Sequence, residues 1–198
     1  MRCYHTVQLV GFDRYLLEGH MSKVDKDTII RAAEEVVRER GARKLTLDAV
    51  AAQCGLSKGG LLHHFRTKQA LLQAMLESSI GCEAELTAEY AASGGDTSGP
   101  LASRICSAFA MMEDDKGLPR ALIAAVAEDP ALLEPIKAKE ARAREDLAAS
   151  CSDPDLALLL LLATRGLFLG RVLGVLEPDD PIFERLRKRL LALAADLD

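Results

Sequence analysis

The chain has 198 residues, 49% hydrophobic, with no Trp and only 4% aromatic residues. This apolar content excludes global disorder, and an aliphatic core of Leu, Ala, Val and Ile favours helices over sheets in one or two small domains. The net charge of −5 hides an asymmetry: residues 21–75 carry 10 Lys and Arg against 6 Asp and Glu, residues 76–198 carry 13 against 22, a basic head on an acidic body.

Residues 1–20 lack the long apolar region and small-residue cleavage site of a signal peptide, and are expected to form an extension without a fold of its own. From Met21 the sequence runs directly into helical periodicity. A first helix is expected over Lys26–Arg40, capped by Asp25 and ended by Gly41, with Ile29, Ile30, Ala33, Val36 and Val37 facing inward. Thr46 caps a short helix, Leu47–Gln53; Cys54-Gly55-Leu56 makes a turn; Ser57 caps a third helix, Lys58–Phe65. Thr67 opens a long fourth helix, with Leu71, Leu72, Met75 and Leu76 at helical spacing, reaching about Tyr90 or Ala92.

Residues 91–100 (AASGGDTSGP) read as a connector. Helices are then expected at about Leu101–Glu113, Leu118–Glu128, Pro130–Ala149, Pro154–Leu176 and Pro181–Leu197. Asp129-Pro130, Asp153-Pro154 and Asp180-Pro181 each place a capping carboxylate before a proline suited to the first helical position. The expected fold is all-α with about nine helices: a head, residues 21–77, and a helical body, residues 78–198. The longest apolar run, Leu156–Leu176, contains Arg165 and Arg171. A central Arg costs about 2.5–3.5 kcal/mol in a bilayer, so this run reads as a buried helix and no membrane partner is expected. Five widely spaced cysteines (Cys3, Cys54, Cys82, Cys106, Cys151) with no C-x-x-C exclude a disulfide scaffold and fit a reducing cytoplasm.

The segment from Thr46 to Phe65 meets the requirements of a helix-turn-helix. Leu47, Val50 and Ala51 point inward, Gly55 can take a left-handed turn, Leu56 plugs the turn, and Leu61 and Phe65 back the second helix. Ser57, Lys58, Gly59, Gly60, Leu62, His63 and His64 are left on the outer face, the position that reaches base edges in the major groove. Gly59 and Gly60 are poor helix formers, each costing about 0.8–1 kcal/mol, which makes sense where two backbones must approach closely. Rival readings fail on these residues. Gly55-x-Ser57-x-Gly59 imitates a nucleophile elbow, but a helix precedes it and no acid lies between it and the last His, His64. Adjacent His63 and His64 point about 100° apart on a helix and cannot share a metal ion. No catalytic constellation and no cofactor motif is present, so an enzyme is not expected.

Met21 to Glu77 resembles the DNA-binding domain of the tetracycline-repressor (TetR) family, with residues 46–75, TLDAVAAQCGLSKGGLLHHFRTKQALLQAM, as the matching stretch. The Gly-x-Ser-Lys-Gly turn, the His-Phe pair and the Thr-Lys-x-x-Leu-Leu start of the fourth helix carry the resemblance. It implies a dimeric repressor on double-stranded DNA with a palindromic operator, released by a small-molecule effector. By the same resemblance Lys68, His64, Arg66, Thr67 and Thr46 would hold phosphates. Gly60 and Leu62 depart from the polar and aromatic residues common there, which shifts weight to Lys58, Arg66 and Lys68.

The expected dimer face is the last two helices. Gly166, Gly170 and Gly174 form a ladder of small residues bordered by Leu169 and Leu173, and Phe183, Leu186, Leu190 and Leu193 follow on the final helix. Expected effector contacts are Phe109, Met111, Met112, Leu122, Val126 and Phe168, with Arg165 or Arg171 placed to meet an acidic group. The alternative is a ligand-independent DNA-binding regulator whose body core is filled.

Overall fold

The computed structural model describes residues 24–113, 123, 126, 129–177 and 180–198. The expected extension, Leu122 and most of the expected helix Leu118–Glu128 lie outside the described residues, although Ile123 and Val126 are helical. Eight α-helices are described in full: α1 Lys26–Arg40, α2 Leu47–Gln53, α3 Lys58–His64, α4 Lys68–Ser93, α5 Pro100–Glu113, α6 Glu134–Ser150, α7 Pro154–Val172 and α8 Ile182–Ala194. No described helix is long and apolar enough to cross a membrane.

The head forms because short-range signals agree with the burial pattern. Asp25 caps α1 by accepting from Thr28 N at 2.8 Å, and Gly41, at φ 82°, ends it. The expected inward face of α1 is the buried one, and it meets Val50, Ala51, Leu61, Phe65, Leu71, Leu72 and Met75 in one core.

The body is organised around α5, which packs against α4 on one side and α7 on the other. Leu101, Ile105, Ala108, Phe109 and Met112 of α5 share a core with Leu147 of α6, Leu161 of α7, and Phe183 and Leu190 of α8. Two buried serines on α5 are satisfied locally: Ser107 Oγ donates to Arg104 O at 3.0 Å and accepts from Thr87 Oγ1 of α4 at 2.8 Å, and Ser103 Oγ donates to Pro100 O. Cys82, Cys106 and Cys151 are buried and form no disulfide, and burial pushes Cys106 and Cys151 above the ordinary thiol range. Cys106 and Cys151 thus behave as small apolar residues rather than thiolates.

Three boundaries differ from expectation for identifiable reasons. The segment from Pro130 opens as a 3-10 turn, Pro130–Leu133, before α6 begins. Pro135 has no N–H to give Ala131 O, so an α-helix cannot run through. Helix α7 stops at Val172 instead of continuing to Leu176. Gly174 at φ 72° closes it: Val175 N donates to Gly170 O at 2.8 Å and Gly174 N to Arg171 O at 3.0 Å, the paired bonds of a Schellman motif. Gly174 is therefore off the helix and is not a rung of the expected ladder. In the third Asp-Pro pair, Pro181 sits just before α8 while Asp180 Oδ1 accepts from Ile182 N at 2.9 Å.

The start of α5 is capped from the far end of the chain. Asp198 Oδ1 accepts from Leu101 N at 2.9 Å and Oδ2 from Ala102 N at 3.0 Å. A Cβ on Gly99 would lie 2.1 Å from Asp198 Oδ2 and 2.4 Å from its Cβ, so only glycine lets this cap close. Gly99→Ala and Asp198→Ala should each cost about 1–2 kcal/mol, a drop of about 2–4 °C in Tm per kcal/mol for a chain of this size. Both remove the same cap, so thermal melts of the double variant should show much less than the summed loss; full additivity would refute the shared cap.

Candidate nucleic-acid interface and body cavity

The head presents three helix N-termini held by the same device. Thr46 Oγ1 accepts from Ala49 N at 3.1 Å, Ser57 Oγ from Gly60 N at 3.1 Å, and Thr67 Oγ1 from Ala70 N at 3.0 Å. Each hydroxyl is used as an acceptor and keeps its own proton to donate outward. Between α2 and α3, Gly55 sits at φ 66°, Leu56 N donates to Ala51 O at 2.9 Å and Gly55 N to Ala52 O at 3.3 Å. This closing motif is the same as at the end of α7, and it turns the chain sharply enough for α3 to cross α2. A helix, not a strand, precedes Ser57, so the Gly-x-Ser-x-Gly stretch is this turn.

The expected contact residues gather on one surface. Ser57, Lys58, Gly59, His63, Arg66, Thr67 and Lys68 are exposed, Gly60, Leu62 and His64 are half-buried, and Leu61 and Phe65 fill the core behind them. The His63 and His64 rings meet edge to face at 5.7 Å. Lys58 Nζ pairs with Asp48 Oδ1 of α2 at 3.0 Å, an exposed pair worth little that can be exchanged for another anion. Gly59 and Gly60 have no internal reason to be glycine. A Cβ at 59 would have no neighbour nearer than 4.0 Å, and one at 60 would make ordinary contacts with Ser57 and Leu56.

The body contains a cavity of about 340 Å³ between α4, α5, α6 and α7. Of the residues named as candidate effector contacts, Met111, Val126, Arg165 and Phe168 line it. Phe109 and Met112 do not: they are core residues that edge a separate hollow of about 260 Å³ with Arg171 and Phe183. Arg171 stacks on the Phe183 ring there, 5.7 Å from its centre, and so belongs to the outer hollow. The cavity wall that periodicity did not reveal comes from α4 and α6: Leu76, Ser79, Ile80 and Glu83, then Leu133 beside α6 and Ile136, Lys139 and Glu140 on it.

Four of these residues form a charged quartet. Glu83 Oε1 meets Arg165 Nη2 at 2.8 Å and Glu83 Oε2 meets Lys139 Nζ. Glu140 Oε1 lies 3.2 Å from Arg165 Nε and 3.9 Å from Lys139 Nζ. Burial pushes the Glu83 carboxyl up, but Arg165 and Lys139 outweigh it and hold Glu83 below the ordinary glutamate range. Burial, opposed by Glu83, moves the Lys139 ammonium below its ordinary value. Arg165 Nε is buried and makes no hydrogen bond, despite its nearness to Glu140.

Along α7, Leu159, Leu162, Leu169 and Leu173 are 61%, 54%, 46% and 59% exposed, with exposed Gly166 among them, and Leu169 also edges the cavity. Their spacing of three and four residues makes one apolar stripe. Leu159 and Leu162 were hidden in a run that is apolar all round. The other expected interface residues divide: Leu186 and Leu193 are half-buried, Phe183 and Leu190 belong to the subunit's own core, and Gly170 packs against Leu176, which a Cβ would meet at 3.0 Å.

Two family models match the chain: "Bacterial regulatory proteins, tetR family" over residues 29–75 and "Tetracyclin repressor-like, C-terminal domain" over residues 101–195. The class A tetracycline repressor protein from transposon 1721 of Escherichia coli is 38% identical over 60 residues, 30% of this chain and 28% of that protein. The match thus spans little more than a quarter of that relative's length. Among solved structures, a TetR-family member from Streptomyces coelicolor A3 (SCO1917) is 27% identical over 87% of this chain and 98% of its own, with a TM-score of 0.66. The multidrug binding protein EbrR, solved with ethidium, is 26% identical over 87% of this chain and 98% of its own, with a TM-score of 0.61. With an N-terminal helix-turn-helix, an all-helical body, and family models covering both, the chain belongs to the TetR family of transcriptional regulators.

Proposed function

We propose that the chain is a homodimeric repressor that binds a palindromic DNA operator through α3 and is released by a small molecule in the body cavity. The observation that carries the DNA reading is the glycine pair on the first turn of α3, Gly59 exposed and Gly60 half-buried. The fold does not need it, and it is flanked by capped helix ends and by Lys58, Arg66 and Lys68. Glycines there let the α3 backbone lie close to DNA, and helix N-termini favour phosphates. Lys68 opens α4, where its ammonium and the helix dipole act together.

Two observations support the dimer and the ligand. The leucine stripe on α7 is a self-complementary apolar face at coiled-coil spacing, and a large exposed apolar patch calls for a partner. A symmetric pair of heads is what a palindrome matches. The cavity favours a ligand-responsive regulator over one with a filled core, and its wall touches the head directly. Val126 lines the cavity and packs against the head core, and Leu132, next to Leu133 of the wall, is buried in that head core. The multidrug binding protein EbrR is complexed with ethidium in its crystal structure; a similar use of this cavity is part of the proposal.

Gly59→Ala should stabilise the free protein by about 0.8–1 kcal/mol yet weaken operator binding by about tenfold or more. Lys68→Ala should weaken binding to all sequences alike and reduce the salt slope by about one unit. Melts and fluorescence-anisotropy titrations at several salt concentrations read both, and Gly59→Ala binding DNA as well as the parent would remove the close-approach role. Leu162→Glu with Leu173→Glu should convert the dimer to a folded monomer in sedimentation, with operator affinity falling at least about a hundredfold; a dimer that survives would place the interface elsewhere.

A further inference from the structure

The cavity proposed above as the effector site carries a charge pattern that selects its occupant. Two carboxylates, Glu83 and Glu140, face two cations, Lys139 and Arg165, so the quartet is neutral as it stands. Its members are not held equally. Glu83 uses both carboxylate oxygens, one on each cation, and its side chain is 14% exposed. Glu140 touches the cations through one oxygen only, at 3.2 and 3.9 Å, and is 23% exposed. Arg165 Nε, beside it, is a buried donor without a hydrogen bond.

A ligand cation entering this quartet would leave an excess positive charge in a poorly hydrated site unless Lys139 or Arg165 departed, and Glu83 holds both. A neutral ligand would leave Arg165 Nε unsatisfied unless it brought an acceptor, and would gain nothing from the charge. An anion can replace Glu140 one for one. Glu140 then turns to solvent from α6, and the open Nε gains a partner. A single carboxylate fits best: it matches the one charge displaced, and its planar pair of oxygens suits the edge of a guanidinium. Away from the quartet, Ser79 alone among the described lining residues is polar, and Ile80, Met111, Val126, Ile136 and Phe168 make an apolar chamber. We infer that the effector is an apolar monocarboxylic acid whose carboxylate binds Arg165 and displaces Glu140.

This inference rests on the cavity being the effector site, and three probes sharing one tail separate the two claims. Calorimetric titration of the full chain with octanoate, octanamide and octyltrimethylammonium should give octanoate at least about tenfold tighter than the amide, with no binding of the ammonium. Glu140→Gln removes the competing anion while keeping shape, and should tighten octanoate by about tenfold. Amide or ammonium binding as tightly as octanoate would overturn the acid and leave the cavity reading standing. Octanoate binding unchanged or weakened in Glu140→Gln would overturn the displacement. Silence from all three probes would overturn both.

Discussion

The structure depends on one helix serving two cores. The first turns of α4 place Leu71, Leu72 and Met75 in the head, and the next place Leu76, Ile80 and Glu83 on the cavity wall. A 26-residue helix is stiff, so its two ends cannot reposition independently. Lys68 stands at its first residue and Glu83 fifteen residues later anchors the charged quartet. Val126 and Leu132 add a second, shorter route from body to head. Whatever changes the cavity is therefore coupled to the surface that carries Ser57, Gly59 and Lys68.

The quartet explains how such a cavity can be stable without being sealed. Buried ion pairs add little net stability, but losing one partner is costly, about 3–5 kcal/mol. Glu83 is committed to two cations, whereas Glu140 is loosely held. A site with one exchangeable charge accepts a substitute and rejects an addition. The apolar stripe on α7 runs beside Arg165 on the same helix, and Leu169 belongs both to the stripe and to the cavity lining, so the expected dimer face and the cavity share a wall.

Local chemistry made the head legible in the sequence. Asp25, Thr46, Ser57 and Thr67 cap as expected, Gly55 takes the left-handed turn, and the inward face of α1 is the buried one. These signals act within four residues and need no knowledge of tertiary contacts. The body was legible only as helices. Phe109 and Met112 sit at helical spacing beside Met111, but periodicity tells a buried face from an exposed one and cannot tell packed core from cavity wall. The contributions of Glu83, Lys139 and Glu140 arise from three helices meeting, with sequence separations beyond any motif. Gly174 looked like a rung because its spacing was right; its backbone conformation, which spacing does not encode, makes it a stop.

The coupling through α4 is the central claim, and it can be tested without a ligand. Ser79 lies on α4 at the cavity wall, away from the α3 surface. Ser79→Phe fills the cavity from within. Using a DNA fragment recovered by selection from random sequence, anisotropy titration of this variant should show operator affinity reduced by at least about tenfold, with the dimer and the melting transition retained. Unchanged affinity in a folded, cavity-filled variant would mean that the body does not control the head.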